Sequence, residues 1–265
     1  MNKPLRIAIH GAAGRMGRRL VALGAGDPSL AIVAALEAPG HPHLGQDAGT
    51  VAGIGTLGVP LSSELSAEAD VLLDFSVPQA MDRVLDICVN GQLALVAATT
   101  GLDPGQMERL RQAADRIPLL WSPNMSLAVN LTMRLAEAAA QALRQHDADV
   151  EILERHHRFK EDAPSGTALR FGEIIAGVMG QTLQRHGRHG RVGARPHHEI
   201  GYHAIRTGGN PGEHVIIFGM LGETIELAVR ATSRDCYALG ALAAAKFLAG
   251  KPPGYYTMAD VLGLP

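Results

Sequence analysis

The sequence has few cysteines, no long apolar run and almost no net charge, and each shortage excludes a class of protein. Two cysteines, Cys88 and Cys236, stand in no paired spacing among 265 residues. No disulfide framework is therefore expected, and a reducing cytoplasm is the expected compartment. Each thiol is expected to pack as a small hydrophobe rather than act as a nucleophile. No apolar stretch reaches the roughly 20 residues that span a bilayer. Residues 1–6 lead into a short apolar run without the cleavage region of a secretory signal. A formal net charge of −2 argues against a general nucleic-acid binder. There is no internal repeat and no low-complexity segment. A soluble chain this long buries roughly three quarters of its unfolded surface and needs no staple.

What is present is an alternation. In the first half, apolar runs at residues 5–10, 30–36, 71–75, 93–98 and 119–121 read as strands. They are separated by stretches of helical spacing, such as Met16, Leu20 and Leu23. A helix is expected over residues 104–116, with Asp103 as N-cap and Pro104 at its first position. Strands alternating with helices imply a parallel sheet covered on both faces. The rhythm changes after Asn124. A helix is expected at 126–143, a strand at 150–154, a helix at 165–179 and a loop at 184–198, dense in Gly, Arg and His. Three strands then follow in succession, at 199–206, 214–220 and 224–231, which implies an antiparallel or mixed sheet and a second domain. Helix returns at 237–248, and a Thr-capped turn closes the chain at 257–261.

The first strand runs directly into Gly11-Ala12-Ala13-Gly14-Arg15-Met16-Gly17. Glycines at this spacing let the backbone turn tightly and approach a pyrophosphate, while the next helix offers unpaired N–H groups and the positive end of its dipole. Glu37 closes the second strand, twenty residues past Gly17, where a carboxylate accepts hydrogen bonds from adenosine ribose hydroxyls. The same charge repels the extra phosphate of NADP. Arg15 partly offsets this, and Ala38 adds no cation, so NADH is expected to serve at least as well as NADPH. Ala98-Thr99-Thr100-Gly101 and Ser122-Pro123-Asn124-Met125 follow later strands, at the sheet edge where open α/β folds bind ligands.

The densest titratable cluster is Glu154-Arg155-His156-His157-Arg158-Phe159-Lys160, followed by Asp162-Ala163-Pro164-Ser165-Gly166-Thr167 at the start of a helix. The helix N-terminus with its hydroxyls is suited to an anion. His157 and Lys160 add positive charge, and an imidazole moves protons near neutral pH. A small carboxylate fits this chemistry. No metal is expected, because adjacent residues on a strand face opposite ways and His156 and His157 cannot readily share one ion.

At this point the sequence resembles the 4-hydroxy-tetrahydrodipicolinate (dihydrodipicolinate) reductase family. The matching stretches are GAAGRMGRRL, AALE, DFSVP, ATTGL, PNMSLAVN, EILERHHRFKEDAPSGTAL, HEIGYHAIRTGGNPGEH and RATSR, in order from residue 5 to about 235. The resemblance implies an N-terminal Rossmann dinucleotide-binding domain, residues 1–126 and 235–265. It implies a smaller α+β substrate and oligomerisation domain with a mixed sheet, residues 127–234, and a homotetramer assembled through those sheets. It also implies NAD(P)H-dependent reduction of a cyclic dicarboxylate with loss of water. His156 would be the proton donor, and Lys160 would polarise the substrate and share in proton delivery. His157, Lys160, Ser165, Gly166, Thr167 and Arg234 would hold the carboxylates. Gly11, Ala12, Ala13, Gly14, Arg15, Met16, Glu37, Ala98, Thr99, Thr100, Ser122, Pro123, Asn124 and Met125 would hold the cofactor. Ala38 departs from the Arg of many relatives, which weakens the case for an NADP preference.

Three other readings stay open on the residues alone. A different Rossmann reductase of a small amino or keto acid would share the glycine loop but has no need of the HHRFK and SGT stretches together. A non-catalytic nucleotide sensor would typically lose the proton donor. Nucleic-acid binding through Arg185, Arg188, Arg191 and Arg195 lacks the aromatic residues on which bases stack.

Overall fold

In the first half of the chain, leucine- and isoleucine-rich runs of four to seven residues form strands because both faces are covered, a pattern that suits parallel sheets. The computed structural model describes residues 3–264 and divides into two units, residues up to Leu127 with those from Asp235 onward, and Ala128–Arg234. The first unit begins with β1 (Leu5–His10), α1 (Arg15–Ala25), β2 (Leu30–Leu36), α2 (Ala48–Ala52), β3 (Leu61–Ser62) and β4 (Val71–Asp74). It continues with α3 (Met81–Gly91), β5 (Ala94–Ala97), α4 (Pro104–Ala114) and β6 (Pro118–Trp121). All four residues of β4 and of β5 are buried. Strand side chains alternate between two cores: Ile7, Ile9, Val71 and Leu73 pack on one face, and Ala8, Leu72 and Leu95 pack on the other with Cys88 of α3. Helix α3 buries Met81, Val84, Leu85 and Cys88, the spacing of one helical face. Helix α4 starts where expected: Asp103 accepts from the Gln106 amide, and the Gln106 side chain accepts from the Asp103 amide.

The second unit is built from α5 (Leu127–Leu143), β7 (Asp149–His156), α6 (Gly166–Met179), β8 (Leu183–His186), β9 (Glu199–Arg206), β10 (Glu213–Met220) and β11 (Glu223–Arg230). Its sheet runs β11-β10-β7-β9-β8, antiparallel across β11, β10 and β7 and parallel from β7 to β8. It is the mixed sheet expected from the strand succession. Strand β7 alternates without a break, with Val150, Ile152, Glu154 and His156 turned to the covered face. That face packs with α5 and α6 through Ala136, Ala140, Phe171 and Ile175. Two expectations need correction. The strand at 150–154 extends to His156, because the alternation continues through polar residues. The segment at 184–198 is not loop throughout: Leu183–His186 is an edge strand on β9. Its residues are largely exposed, so no apolar pattern marks it, and backbone pairing alone makes it a strand.

The chain then returns to the first unit with α7 (Asp235–Leu248), β12 (Gly254–Tyr256) and α8 (Met258–Val261). Strand β12 adds the last strand to a parallel sheet of order β12-β6-β5-β4-β1-β2-β3. The order reverses at β1, whose neighbours are β2 and β4, the switch point at which ligands bind in such sheets. Among the described residues no helix is long and apolar enough to cross a membrane.

Candidate active site

At the carboxyl end of β1 the chain turns at Gly11, whose φ of +77° favours glycine, and a Cβ there would lie 2.7 Å from the Phe75 carbonyl oxygen. A Cβ on Gly17 would overlap the Gly11 carbonyl oxygen. These two glycines are needed for the turn and for the close seating of α1. The N-cap of α1 is Gly14, with no side-chain cap. The first-turn N–H groups therefore remain available to an anion, beside an exposed Arg15. Ala12 and Ala13 are buried beneath the turn. Glu37 is half-buried, and its Oε1 accepts from the Ala13 amide at 2.7 Å, so this carboxylate is tied to the glycine turn.

Sequence reasoning missed what lies under the neighbouring loops. Asp74, at the end of β4, is fully buried and accepts from Ser76 Oγ at 2.6 Å and Thr99 Oγ1 at 2.6 Å, with His10 Nδ1 at 2.8 Å. One carboxylate therefore joins the strand ends of β1 and β4 to the Ala98–Thr100 loop. Trp121 Nε1 donates to the Thr99 carbonyl at 3.0 Å. In the next loop Ser122 Oγ donates to the Asn124 carbonyl at 2.8 Å, Met125 is buried, and Pro123 is exposed. The available signal was an Asp ending an otherwise apolar strand.

In the second unit, strand periodicity puts Glu154 and His156 on one face. His156 Nδ1 lies 2.6 Å from Glu154 Oε2. The Ser165 amide donates to Glu154 Oε1 at 3.1 Å, and Arg206 closes a bidentate pair on the same carboxylate at 2.7 and 2.8 Å. Arg206 arrives through the β7–β9 register, which sets it opposite His156. Burial alone would raise the Glu154 carboxyl, but hydrogen bonds from Arg206 and His156 hold it below its ordinary value. Burial lowers His156, with Glu154 opposing. His214, from β10, packs edge-on to His156 at 5.3 Å between centroids and meets Ser165 Oγ at 3.1 Å. Burial holds its imidazole down at about 4.

Ser165 is the N-cap of α6, accepting from the Ala168 amide at 3.2 Å, and Gly166 is exposed beside it. Thr167 is half-buried in the first turn. Lys160 Nζ donates to Asp162 at 2.7 and 2.9 Å. His157 lies just past the strand, half-buried, and its Nδ1 has no hydrogen-bond partner among the described residues. The fold thus brings His156 and Ser165 together on Glu154. Arg234 is exposed in the turn before α7, outside the Glu154 network. Arg206 and His214 were missed because they stand about fifty residues from His156 in sequence and reach it only through the sheet.

A parallel sheet whose switch point carries an open glycine turn and an acidic strand end, with a carboxylate-held imidazole on a second unit, defines a dinucleotide-dependent oxidoreductase. Two family models match the chain: dihydrodipicolinate reductase, N-terminus, over residues 5–125, and dihydrodipicolinate reductase, C-terminus, over residues 128–262. A 4-hydroxy-tetrahydrodipicolinate reductase of Rhodopirellula baltica is 55% identical over 98% of this chain and 97% of its own length. Another from Alkalilimnicola ehrlichii is 48% identical over 98% and 99%. The dipicolinate-bound dihydrodipicolinate reductase of Paenisporosarcina sp. TG-14 matches in structure with a TM-score of 0.79 over 97% of this chain and 99% of that one, at 24% identity. The chain belongs to the dihydrodipicolinate reductase family, and its fold and NAD(P)H-dependent reductase class are those the motifs implied.

Proposed function

We propose that the protein reduces 4-hydroxy-tetrahydrodipicolinate to tetrahydrodipicolinate, with loss of water, on the diaminopimelate route to lysine, and that His156 supplies the proton. The observation that carries this reading is one buried carboxylate, Glu154, bound both to an imidazole and to an anion-ready helix terminus. Loss of the hydroxyl as water leaves a conjugated imine. One hydride then enters the ring, and His156 delivers one proton to the enamine-like product. A reduced nicotinamide dinucleotide supplies that hydride when bound. The glycine turn fits such a group because Gly11 and Gly17 have no room for a Cβ and the terminus of α1 is uncapped. Gly11–Met16, Glu37, Ala98–Thr100 and Ser122–Met125 would hold it.

Lys160, His157, Ser165, Gly166, Thr167 and Arg234 would hold the two carboxylates of the substrate, orienting the ring for attack. Lys160 would exchange Asp162 for one of them. Residues 127–234 would form the substrate-binding and tetramerisation domain, with four chains joined through their second sheets. Glu37 disfavours a ribose 2′-phosphate and Ala38 offers it no cation, so NADH is expected to support at least the rate seen with NADPH.

The test follows loss of NADH or NADPH absorbance with substrate generated in place from aspartate semialdehyde and pyruvate by the preceding synthase. Rapid oxidation is expected, and His156→Ala should lower kcat by about 100-fold or more, the scale of a lost general acid. No oxidation by folded protein would overturn the assignment. An undiminished His156→Ala rate would remove the proton donor alone.

A further inference from the structure

We propose that Glu154 is a positioning residue for the proton-donating imidazole: it holds His156 in the Nδ1–H form, with Nε2 free to carry the exchanged proton beside Gly212, and ties that ring to the terminus of α6. This rests on the reading of His156 as proton donor. The hydrogen-bond inventory leaves no other arrangement. An ionised carboxylate only accepts, and Glu154 accepts from the Ser165 amide and from two guanidinium nitrogens of Arg206. Its Oε2 lies 2.6 Å from His156 Nδ1, so Nδ1 must be the donor, and the proton that comes and goes sits on Nε2. Arg206 keeps the buried carboxylate ionised, which fixes that polarity.

On the other side of the ring, a Cβ added to Gly212 would lie 3.0 Å from Nε2. The φ of Gly212 is +150°, and the absence of a side chain leaves the space next to Nε2 open to a reacting atom. The charged and titratable groups around His156 are Glu154 on its own strand, Arg206 on β9, His214 on β10 and Lys160 in the following loop. Of these only Glu154 hydrogen-bonds the ring. Because the same carboxylate also accepts from Ser165, the imidazole and the substrate-binding helix terminus keep a fixed spacing.

The experiment is Glu154→Gln in the full-length protein, with nitrogen-15 NMR of labelled histidines, pH profiles and steady-state kinetics. In the wild type His156 should resonate as the Nδ1–H tautomer; an Nε2–H tautomer there overturns the proposal, even if the variant fails to fold. In Glu154→Gln the tautomer should become mixed, and the alkaline limb of kcat should move down by about one pH unit or more, because an opposite charge that favours imidazolium is gone. The value of kcat should fall at least about tenfold with KM changed far less. Glu154→Asp, which keeps the charge, should restore the limb. The double variant with His156→Ala should be no slower than His156→Ala alone. Gly212→Ala should lower kcat while leaving the tautomer intact. An unchanged tautomer and pH limb in Glu154→Gln would overturn the positioning role. An active His156→Ala would instead overturn the proton-donor reading, and the tautomer measurement would still decide the orientation.

Discussion

Inside the second unit, His214 is 4% exposed and its ring edge faces His156. Burial first, then the neighbouring imidazole, lowers its proton affinity from the ordinary 6.5 to about 4. The folded protein therefore refuses a proton that the unfolded chain accepts. Stability from this group is fully present above pH 6.5 and is lost as pH falls toward 4, by an amount on the order of 3 kcal/mol. Urea unfolding at pH 7 and pH 4.5 should show that loss, and His214→Gln, neutral at both, should show a smaller one. Equal losses in both proteins would assign the effect to other groups. At this scale the sequence named His156, Lys160 and Ser165 because they crowd one stretch. It could not name His214 or Arg206, whose relation to His156 exists only across strands β10 and β9.

The segment after β8 shows how an element without an apolar pattern is held. Arg188 reaches Glu151 and Glu199, and Arg195 bonds Asp149 at 2.6 Å, Glu151 at 3.0 Å and the Val150 carbonyl at 3.1 Å. These two arginines, which composition alone offered as nucleic-acid contacts, are engaged in pinning the chain to strands β7 and β9 of the mixed sheet. Arg195→Ala removes one of the donors to Glu151 and the guanidinium bonds to the Val150 and Glu199 carbonyls, a cost of about 1–3 kcal/mol. Hydrogen exchange in residues 187–198 is expected to speed up at least about tenfold, with α3 and α4 unchanged. Unaltered exchange there would show that the backbone pairing of β8 suffices. Helix α4 is the opposite case: Asp103, Pro104 and Gln106 announce its start in order, because a cap is a local device.

On the scale of the whole molecule, the uncovered face of the second sheet is the surface through which the proposed tetramer would assemble. Leu153, Val215, Ile217 and Ile205 project from it, away from the face packed with α5 and α6. Light scattering should return the mass of four chains. Ile217→Glu, which sets a charge among these side chains, should shift the population to smaller species without loss of helix signal. A monomer in the wild type would remove the proposal.

The strand–helix alternation of the first half, the change of rhythm after Asn124 and the glycine turn were legible in the sequence. The short strands β3, β8 and β12, by contrast, carry too little apolar pattern to be read. Apolar period, capping residues and the need for glycine at a tight turn are properties of neighbouring residues. The same holds for the family, whose motifs lie in contiguous stretches. What only the tertiary structure decided is which distant groups share one proton or one charge. Register across β7, β9 and β10 brings Glu154, His156, Arg206, Ser165 and His214 together, and strand order gathers His10, Asp74 and Thr99. Hydrogen bonding needs atoms within about 3 Å, a condition that sequence separation of fifty residues leaves open and that the packed sheets close.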